Sequence, residues 1–382
     1  MGGSQLIITG TVGTAAFVLI LLQSPSPVRH AFYETFLHLH IALVIVSFVG
    51  LWMHLQGYPQ QALLLAAVVA WAFDRTYRFW NLVYRNFGNG GTKACIETLP
   101  GDALRVTLTI ARPWRARPGQ HIYLTIPQIG LWTSHPFSVA WSDNSVPFSR
   151  SLDLDEKGDS SLVSNYKDLQ STKATTVSAI IRRRTGFTDS LYKRAEKAEG
   201  FDGNQTPGLG GRITLNALVE GPYGSSRPMS SYGTVLLFAA GVGITHQVPY
   251  VRDLVSGHAN GTVAARRITL VWVVQSPEHL EWIRPWMTQI LAMEKRRDVL
   301  GIKLFITRPR NKKEVVSPSS TVQMFPGRPC VDTLVGKECE EQIGTLGVSV
   351  CGTGELSDDV RRAVRTRQDW CNVDFVEESF SW

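Results

Sequence analysis

The sequence predicts a membrane protein in three parts: apolar helices first, a β-rich region next, and an α/β unit with a parallel sheet last. Three observations carry this. Apolar residues, 44% of the 382-residue chain, pile up in about the first eighty positions. From Asn86 short alternating runs of strand character take over. From Val235 apolar runs alternate with glycine turns and helix-like stretches, the pattern of a parallel sheet. The boundaries are set at 1–85, 86–232 and 233–382.

Three apolar segments open the chain. Leu6 to Leu22 has no charge, can just span a hydrocarbon core, and lacks the basic start of a cleaved signal. Phe36 to Leu55 is long enough to span. Gln61 to Phe73 is short and must borrow flanking residues. The first connection carries Arg29 and His30, the second is uncharged, and Arg75, Arg78 and Arg85 follow the third segment. The excess of basic residues puts the N-terminus and second loop outside, and everything after residue 75 in the cytosol. His38, His40 and His54 lie in the second segment. On a helix His40 and His54 are about 21 Å apart on nearly one face. Such a pair is a candidate set of axial ligands to two stacked haem irons, or else caps helix ends and bonds between helices. Four ligands are needed for two haems, and one pair is present. A partner or second copy supplies the rest, or the chain is an N-terminally shortened form.

The β-rich region reads in order. Leu104 to Ile110 alternates as a strand. Arg117-Pro118-Gly119-Gln120 is a turn feeding a strand through Leu124. His135, Pro136, Phe137 and Ser138 follow as a strand, then a basic run through Arg182, Arg183 and Arg184 to Gly186 and Thr188. Cations and small residues of this kind suit a pyrophosphate, and an apolar slot with a few fixed donors suits a ring system. The arginines could also be a solvated strand face. Residues 191 to 212 read as a mobile surface loop, and Gly221, Pro222, Tyr223 and Gly224 as a turn into the last unit.

In that unit Val235 to Ala239 is a buried strand. Gly241, Gly243, Ile244 and Thr245 form a tight turn, and a helix begins at Gln247. Strand, glycine turn and helix place a pyrophosphate at a helix N-terminus, where free N–H groups favour an anion. Further strands are expected at Ile268 to Val274, Ile302 to Thr307, Gly347 to Cys351 and Val373 to Val376. Helix-like stretches run over Leu280 to Glu294 and Leu356 to Trp370. Cys351, Gly352 and Gly354 sit at the end of one strand, where ligands of such sheets bind. Cys351 is otherwise a small buried hydrophobe.

The net charge of +7 comes without a nucleic-acid motif, which excludes that partner. The five cysteines (Cys95, Cys330, Cys339, Cys351 and Cys371) are odd in number and lack close paired spacing. This argues against a disulfide framework or zinc site and suits a reducing cytosol.

The order of these motifs resembles the ferredoxin-NADP reductase superfamily in its membrane ferric reductase and NADPH oxidase branch. The resemblance implies an antiparallel FAD-binding β-barrel followed by a Rossmann-like NADP domain. His135 to Ser138 would hold the flavin, and Arg182, Arg184, Gly186 and Thr188 its pyrophosphate. Gly221 to Gly224 would lie where the cofactors meet. Cys351 would orient the nicotinamide, helped by Glu377 or Glu378. Phe380, with Trp382 as the alternative, would cover the flavin face. NADPH over NADH is implied by the family, with Arg308, Arg310 and Arg328 as available cations, although Arg328 could be a turn residue. The implied protein is a fungal-type metalloreductase of the plasma or vacuolar membrane. It would pass electrons from NADPH through FAD and b-type haem to ferric or cupric ions or their chelates. A superoxide-forming NADPH oxidase and a non-catalytic partner subunit are the alternatives.

Overall fold

The computed structural model describes residues 3–25, 33–88, 90–131, 133–143, 175–199, 212–224, 227–309, 315–317 and 319–378. Two compact units divide the chain, residues 1–81 and 82–382.

In the first unit the apolar stretches are helical: α1 (Gly3–Gln23), α2 (Tyr33–His54) and the start of α3 (Gln60–Asn86). Among the described residues two helices, Gly3–Gln23 and Thr35–His54, are long and apolar enough to cross a membrane. The third expected segment is the first half of α3, whose second half carries Asp74, Arg75, Arg78 and Arg85. Small residues let α1 and α2 pack closely: a Cβ on Gly50 would lie 3.2 Å from the Gly13 nitrogen.

The second unit opens with antiparallel strands. β1 (Lys93–Leu99), β2 (Ala103–Ile110), β5 (Trp141–Asp143), β6 (Thr175–Arg182) and β7 (Arg212–Asn216) form one sheet in the order β5-β6-β2-β1-β7. β3 (His121–Thr125), β4 (His135–Ser138) and β8 (Leu218–Tyr223) form another in the order β4-β3-β8. Alternate residues such as Ile96, Val106, Leu108, Ile122 and Leu124 fill one core, as the two-residue strand period dictates. Residues 191–199, expected in a loop, instead belong to helix α4 (Phe187–Glu199). Leu191 and Ala195, one helical turn apart, seal it onto that core, which stabilises it despite the polar residues around them. The rest of that expected loop, 200–211, lies outside the described residues. The expected turn at 221–224 is largely the end of β8.

The remaining strands are β9 (Thr234–Ala240), β10 (Arg267–Val274), β11 (Leu300–Ile306), β12 (Val322–Pro326), β13 (Leu346–Cys351) and β14 (Val373–Glu378). They pair wholly in parallel, in the order β12-β11-β10-β9-β13-β14. Helices α5 (Ile244–Ala259), α6 (Arg284–Leu291), α7 (Arg296–Val299), α8 (Val331–Glu340) and α9 (Gly354–Arg365) lie among them in sequence. Apolar cores cover the sheet on both faces, so β9 and β13 are buried almost throughout and largely apolar. The chain winds outward from β9 to β12, then returns to β13 on the other side of β9. That reversal opens a crevice at the carboxyl ends of β9 and β13.

One expectation about cysteines is corrected. Cys339 of α8 and Cys371 are joined as a disulfide, their Cα atoms 5.8 Å apart across 32 residues of sequence. Tertiary packing of α8 against the chain entering β14 brings them together, which no local spacing could announce.

The antiparallel and parallel parts share a core. Leu99, Ala103 and Trp141 pack in one cluster with Val235, Trp272 and Trp286. The Trp282 indole donates to the Pro100 carbonyl (2.7 Å), and Arg105 donates to the carbonyls of Glu281 (2.9 Å) and Trp282 (3.0 Å). Trp141 stacks on Trp286 at 5.9 Å.

Candidate active site

The crevice at the switch point is built by backbone approach. β9 ends at Ala240, and Gly241–Gly243 makes a single 3-10 turn before α5 starts at Ile244, three residues earlier than expected. Two glycines here are sterically required. A Cβ on Gly243 would stand 2.1 Å from the Cys351 carbonyl oxygen, and one on Gly352 would stand 2.7 Å from the Ala240 Cβ. Gly241 differs: its φ is +54°, and a Cβ there would meet nothing within 4 Å. The turn leading into α5 therefore has open space at Gly241, a place for an anion close to a helix start. The Thr245 hydroxyl donates to the Val242 carbonyl (2.8 Å) and closes the turn.

Cys351 ends β13 in register with Ala239 on β9 and Glu378 on β14. It is buried, and burial, with the Glu378 carboxylate nearby, pushes its thiol up to about 12. Burial also raises the Glu378 carboxyl, against the pull of Arg227. The thiol is thus a neutral packing group at physiological pH rather than a nucleophile. Glu377 is engaged by Arg361.

The antiparallel part meets this crevice at a glycine. A Cβ on Gly119, in the Arg117–Gln120 turn, would lie 2.7 Å from the Tyr250 hydroxyl and 3.4 Å from the His246 ring. His246 is buried, which pulls its pKa down to about 4, and burial raises Tyr250 to about 12. Both are neutral near pH 7.

On β4, the His135 ring stacks on Phe187 with centroids 4.3 Å apart, and Phe137 packs near the same ring at 6.4 Å. Desolvation lowers the His135 pKa, and its buried Nε2 has no hydrogen-bond partner among the described residues. Pro136 pairs with Tyr123 and Ser138 with His121 on β3. At and just past the end of β6, Arg182 and Arg184 are exposed, while Arg183 is taken up by Asp189 (2.7 Å) and the Tyr192 ring. Gly186 has φ +70°, and the Thr188 hydroxyl accepts from the Arg184 N–H (2.9 Å) at the start of α4. Gly221 and Gly224 also have positive φ, Gly221–Pro222 is cis, and Tyr223 reaches Glu220 (2.5 Å).

The structure brings Cys351, Glu378, Gly241, Gly243 and Gly352 to one crevice. Gly354 begins α9 beyond it. Arg308 is exposed just past the end of β11, its backbone N–H bonded to the Gln275 carbonyl (2.9 Å). Arg328 is paired with Glu355, both largely exposed. Phe380, Trp382 and Arg310 lie outside the described residues. In the first unit His54 Nδ1 is 2.9 Å from the Leu6 carbonyl, and His40 Nδ1 is 3.5 Å from the Gln23 amide. Among the described residues no cluster of three metal-ligating side chains occurs. Sequence reading missed Gln247, whose buried amide joins the Phe238 carbonyl to the Ser349 hydroxyl (3.1 Å each) and so ties β9 to β13. It also missed His246, Tyr250 and Asn86.

Comparison with known proteins accords with this architecture. A family model described as "FAD-binding domain" matches residues 89–227, and "Ferric reductase NAD binding domain" matches 232–315. The chain therefore carries an FAD-binding and an NAD(P)-binding domain. A third, "Ferric reductase like transmembrane component", matches 2–51. "Ferric/cupric reductase transmembrane component 2" of Saccharomyces cerevisiae is 25% identical over 389 residues, 94% of this chain and 47% of that protein. "Probable ferric reductase transmembrane component" of Candida albicans is 25% identical over 407 residues, 99% of this chain and 54% of that protein. With three models matched in order and these relatives, the chain is similar to fungal ferric/cupric reductases over most of its length. It spans about half the length of the curated relatives it matches. Among solved structures, "Ferredoxin reductase in carbazole 1,9a-dioxygenase" aligns with a TM-score of 0.45 at 16% identity, over 74% of this chain and 68% of that one.

Proposed function

We propose that this chain is the NADPH-oxidising part of a transmembrane ferric/cupric reductase, divided at 1–85, 86–232 and 233–382 into membrane, flavin and nicotinamide parts. The observation that carries the reading is the crevice where Cys351, Glu378 and the Gly241–Gly243 turn converge at the ends of β9, β13 and β14. Bound FAD converts a two-electron donor into one-electron steps, and b-type haem would carry those electrons across the bilayer to Fe(III) or Cu(II).

The chain's residues do the positioning. The orphaned Nε2 of neutral His135 is a free polar atom for the flavin, and Pro136, Phe137 and Ser138 line the same strand. The two antiparallel sheets would be the walls of the flavin barrel. Arg182, Arg184, Gly186 and Thr188 gather cations and a helix start for its pyrophosphate. Gly221 to Gly224 leave room where the cofactors meet. The open α5 start at Gly241, Gly243, Ile244 and Thr245 takes the dinucleotide phosphates, with Arg308 and Arg328 as candidate partners of a 2′-phosphate. Arg328 would have to leave Glu355 to serve. Cys351, followed by Gly352 and Gly354, packs against the nicotinamide ring, and Glu378 holds a hydrogen bond there. Phe380, or Trp382, shields the flavin face. In the membrane part His40 and His54 are the haem ligands, completed by a second copy or partner. A carbonyl only accepts, so the Leu6 contact makes His54 Nδ1 the donor and leaves Nε2 with its lone pair for iron. We place the protein in the plasma membrane, with the flavin and nicotinamide parts cytosolic.

The test is a reduced-minus-oxidised absorption spectrum of the detergent-extracted chain, with FAD, under anaerobic NADPH. Flavin bleaching with a b-type haem signal, both discharged by ferric citrate, is expected. Absence of flavin bleaching would overturn the reading. Superoxide formation indifferent to Fe(III) would redirect it to an oxidase.

A further inference from the structure

The three-stranded sheet leaves β8 as an edge strand, and its outward groups need partners. They find them in the last turn of α3. Asn86 is 3% exposed, and its side-chain amide works as a peptide group would. Nδ2 donates to the Val219 carbonyl (2.8 Å) and Oδ1 accepts the Val219 N–H (2.8 Å), while Nδ2 also reaches the Leu82 carbonyl one turn back (2.8 Å). Two residues along the same edge, Arg85 donates to the Gly221 carbonyl. The Asn86 carbonyl accepts the Thr92 N–H (3.1 Å), and Arg112 lies 3.7 Å over the Tyr84 ring. One helical turn thus occupies the open edge of β8 at the point where it becomes Gly221-Pro222-Tyr223-Gly224.

We propose that Asn86, with Arg85, is a positioning residue. It fastens the end of the helix that begins at Gln60 to the strand carrying the cofactor turn, and so fixes where electrons leave the flavin. The inference rests on the flavin role proposed above for Gly221 to Gly224. The latch grips the β8 edge and contacts neither the α5 turn nor Cys351, so its loss should weigh more on electron delivery than on hydride acceptance. In delivery, the two electrons from one NADPH reduce two Fe(III) to two Fe(II).

The experiment uses the full chain in detergent with FAD, ferric citrate as the acceptor, and Asn86→Ala. Two rates are compared by anaerobic stopped flow: flavin reduction by NADPH, and flavin reoxidation by ferric citrate. Hydrogen exchange is followed over residues 217–221. Reoxidation is expected to slow about tenfold, in keeping with the cost of sub-ångström misplacement, while reduction stays near wild type. Exchange at Val219 should accelerate. Asn86→Asp keeps the acceptor for Val219 and should fall between. Equal slowing of both rates would make the latch a general support of the flavin half and overturn the proposal. So would faster exchange with both rates unchanged. If Asn86→Ala does not accumulate, Asn86→Asp and Arg85→Gln carry the same comparison with the same outcomes. A wild-type chain whose flavin NADPH does not reduce would instead sink the proposed function, a result visible before any variant is made.

Discussion

Replacing Gly243 by alanine tests the crevice most directly. Its backbone sits at φ −59°, ψ −15°, a conformation alanine adopts freely, so the whole effect is steric. The added Cβ would stand 2.1 Å from the Cys351 oxygen and 2.7 Å from its carbonyl carbon, where ordinary contact begins at 3.4 Å. Both neighbours are backbone and cannot rotate away. The start of α5 and the end of β13 must therefore separate by about 1.3 Å, the difference between the first and last of those distances. A shift of about 1 Å between positioning groups can cost about a hundredfold in rate. Overpacking a tight contact adds about 1–3 kcal/mol of destabilisation. Anaerobic stopped-flow reduction of bound flavin by NADPH, with flavin content and thermal unfolding recorded, reads both. Gly241→Ala is the companion: its Cβ enters open space at φ +54°, where a left-handed alanine costs about 1 kcal/mol. It should raise KM by crowding the anion position while leaving the limiting rate near normal. A Gly243→Ala chain with wild-type rate and stability would refute the close approach of α5 to Cys351.

Two further predictions concern protonation. Burial lowers the His246 pKa from 6.5 to about 4, so the unfolded chain binds the proton more tightly. Its contribution to stability is complete above pH 6.5 and is lost as pH falls toward about 4, by about 3 kcal/mol in all. Urea midpoints across that range should fall less steeply in His246→Phe, and an unchanged slope would contradict the assignment. Cysteine alkylation followed by mass spectrometry at mildly alkaline pH should modify exposed Cys330, whose thiol the Thr333 hydroxyl holds below its usual value. Buried Cys351, raised to about 12, should stay unmodified in the folded protein, and rapid labelling there would contradict its burial.

What the sequence showed depended on whether a feature is local. The Gly241–Thr245 turn, the Cys351–Gly354 turn and the strands around them are written in consecutive residues, and the glycines announce close approach before any neighbour is known. The onset of α5 was placed late because the 3-10 turn leads directly into the helix. Helix α4 escaped notice because only Leu191 and Ala195 mark its buried face, and a glycine-rich stretch follows. Asn86 and Gln247 were not legible. Each bonds a group 133 or 102 residues away, and a polar residue carries in its local sequence no sign of a distant partner. The Cys339–Cys371 pair is of the same kind.

The seam of tryptophans between the antiparallel and parallel sheets bears on modularity. Nicotinamide halves invite exchange between relatives as a route to altered coenzyme choice. Here the joint is not a hinge: Trp282 is seated in the Pro100 carbonyl, and Trp286 lies on Trp141. A cut at the chain crossover near residue 232 would strip apolar surface from both fragments. A transplanted half would have to bring Trp282 and Trp286 with it, and the recipient would have to offer Trp141, Arg105 and the Pro100 turn. Without that matched set, a chimera would inherit a catalytic crevice and lose the footing that holds its two walls together.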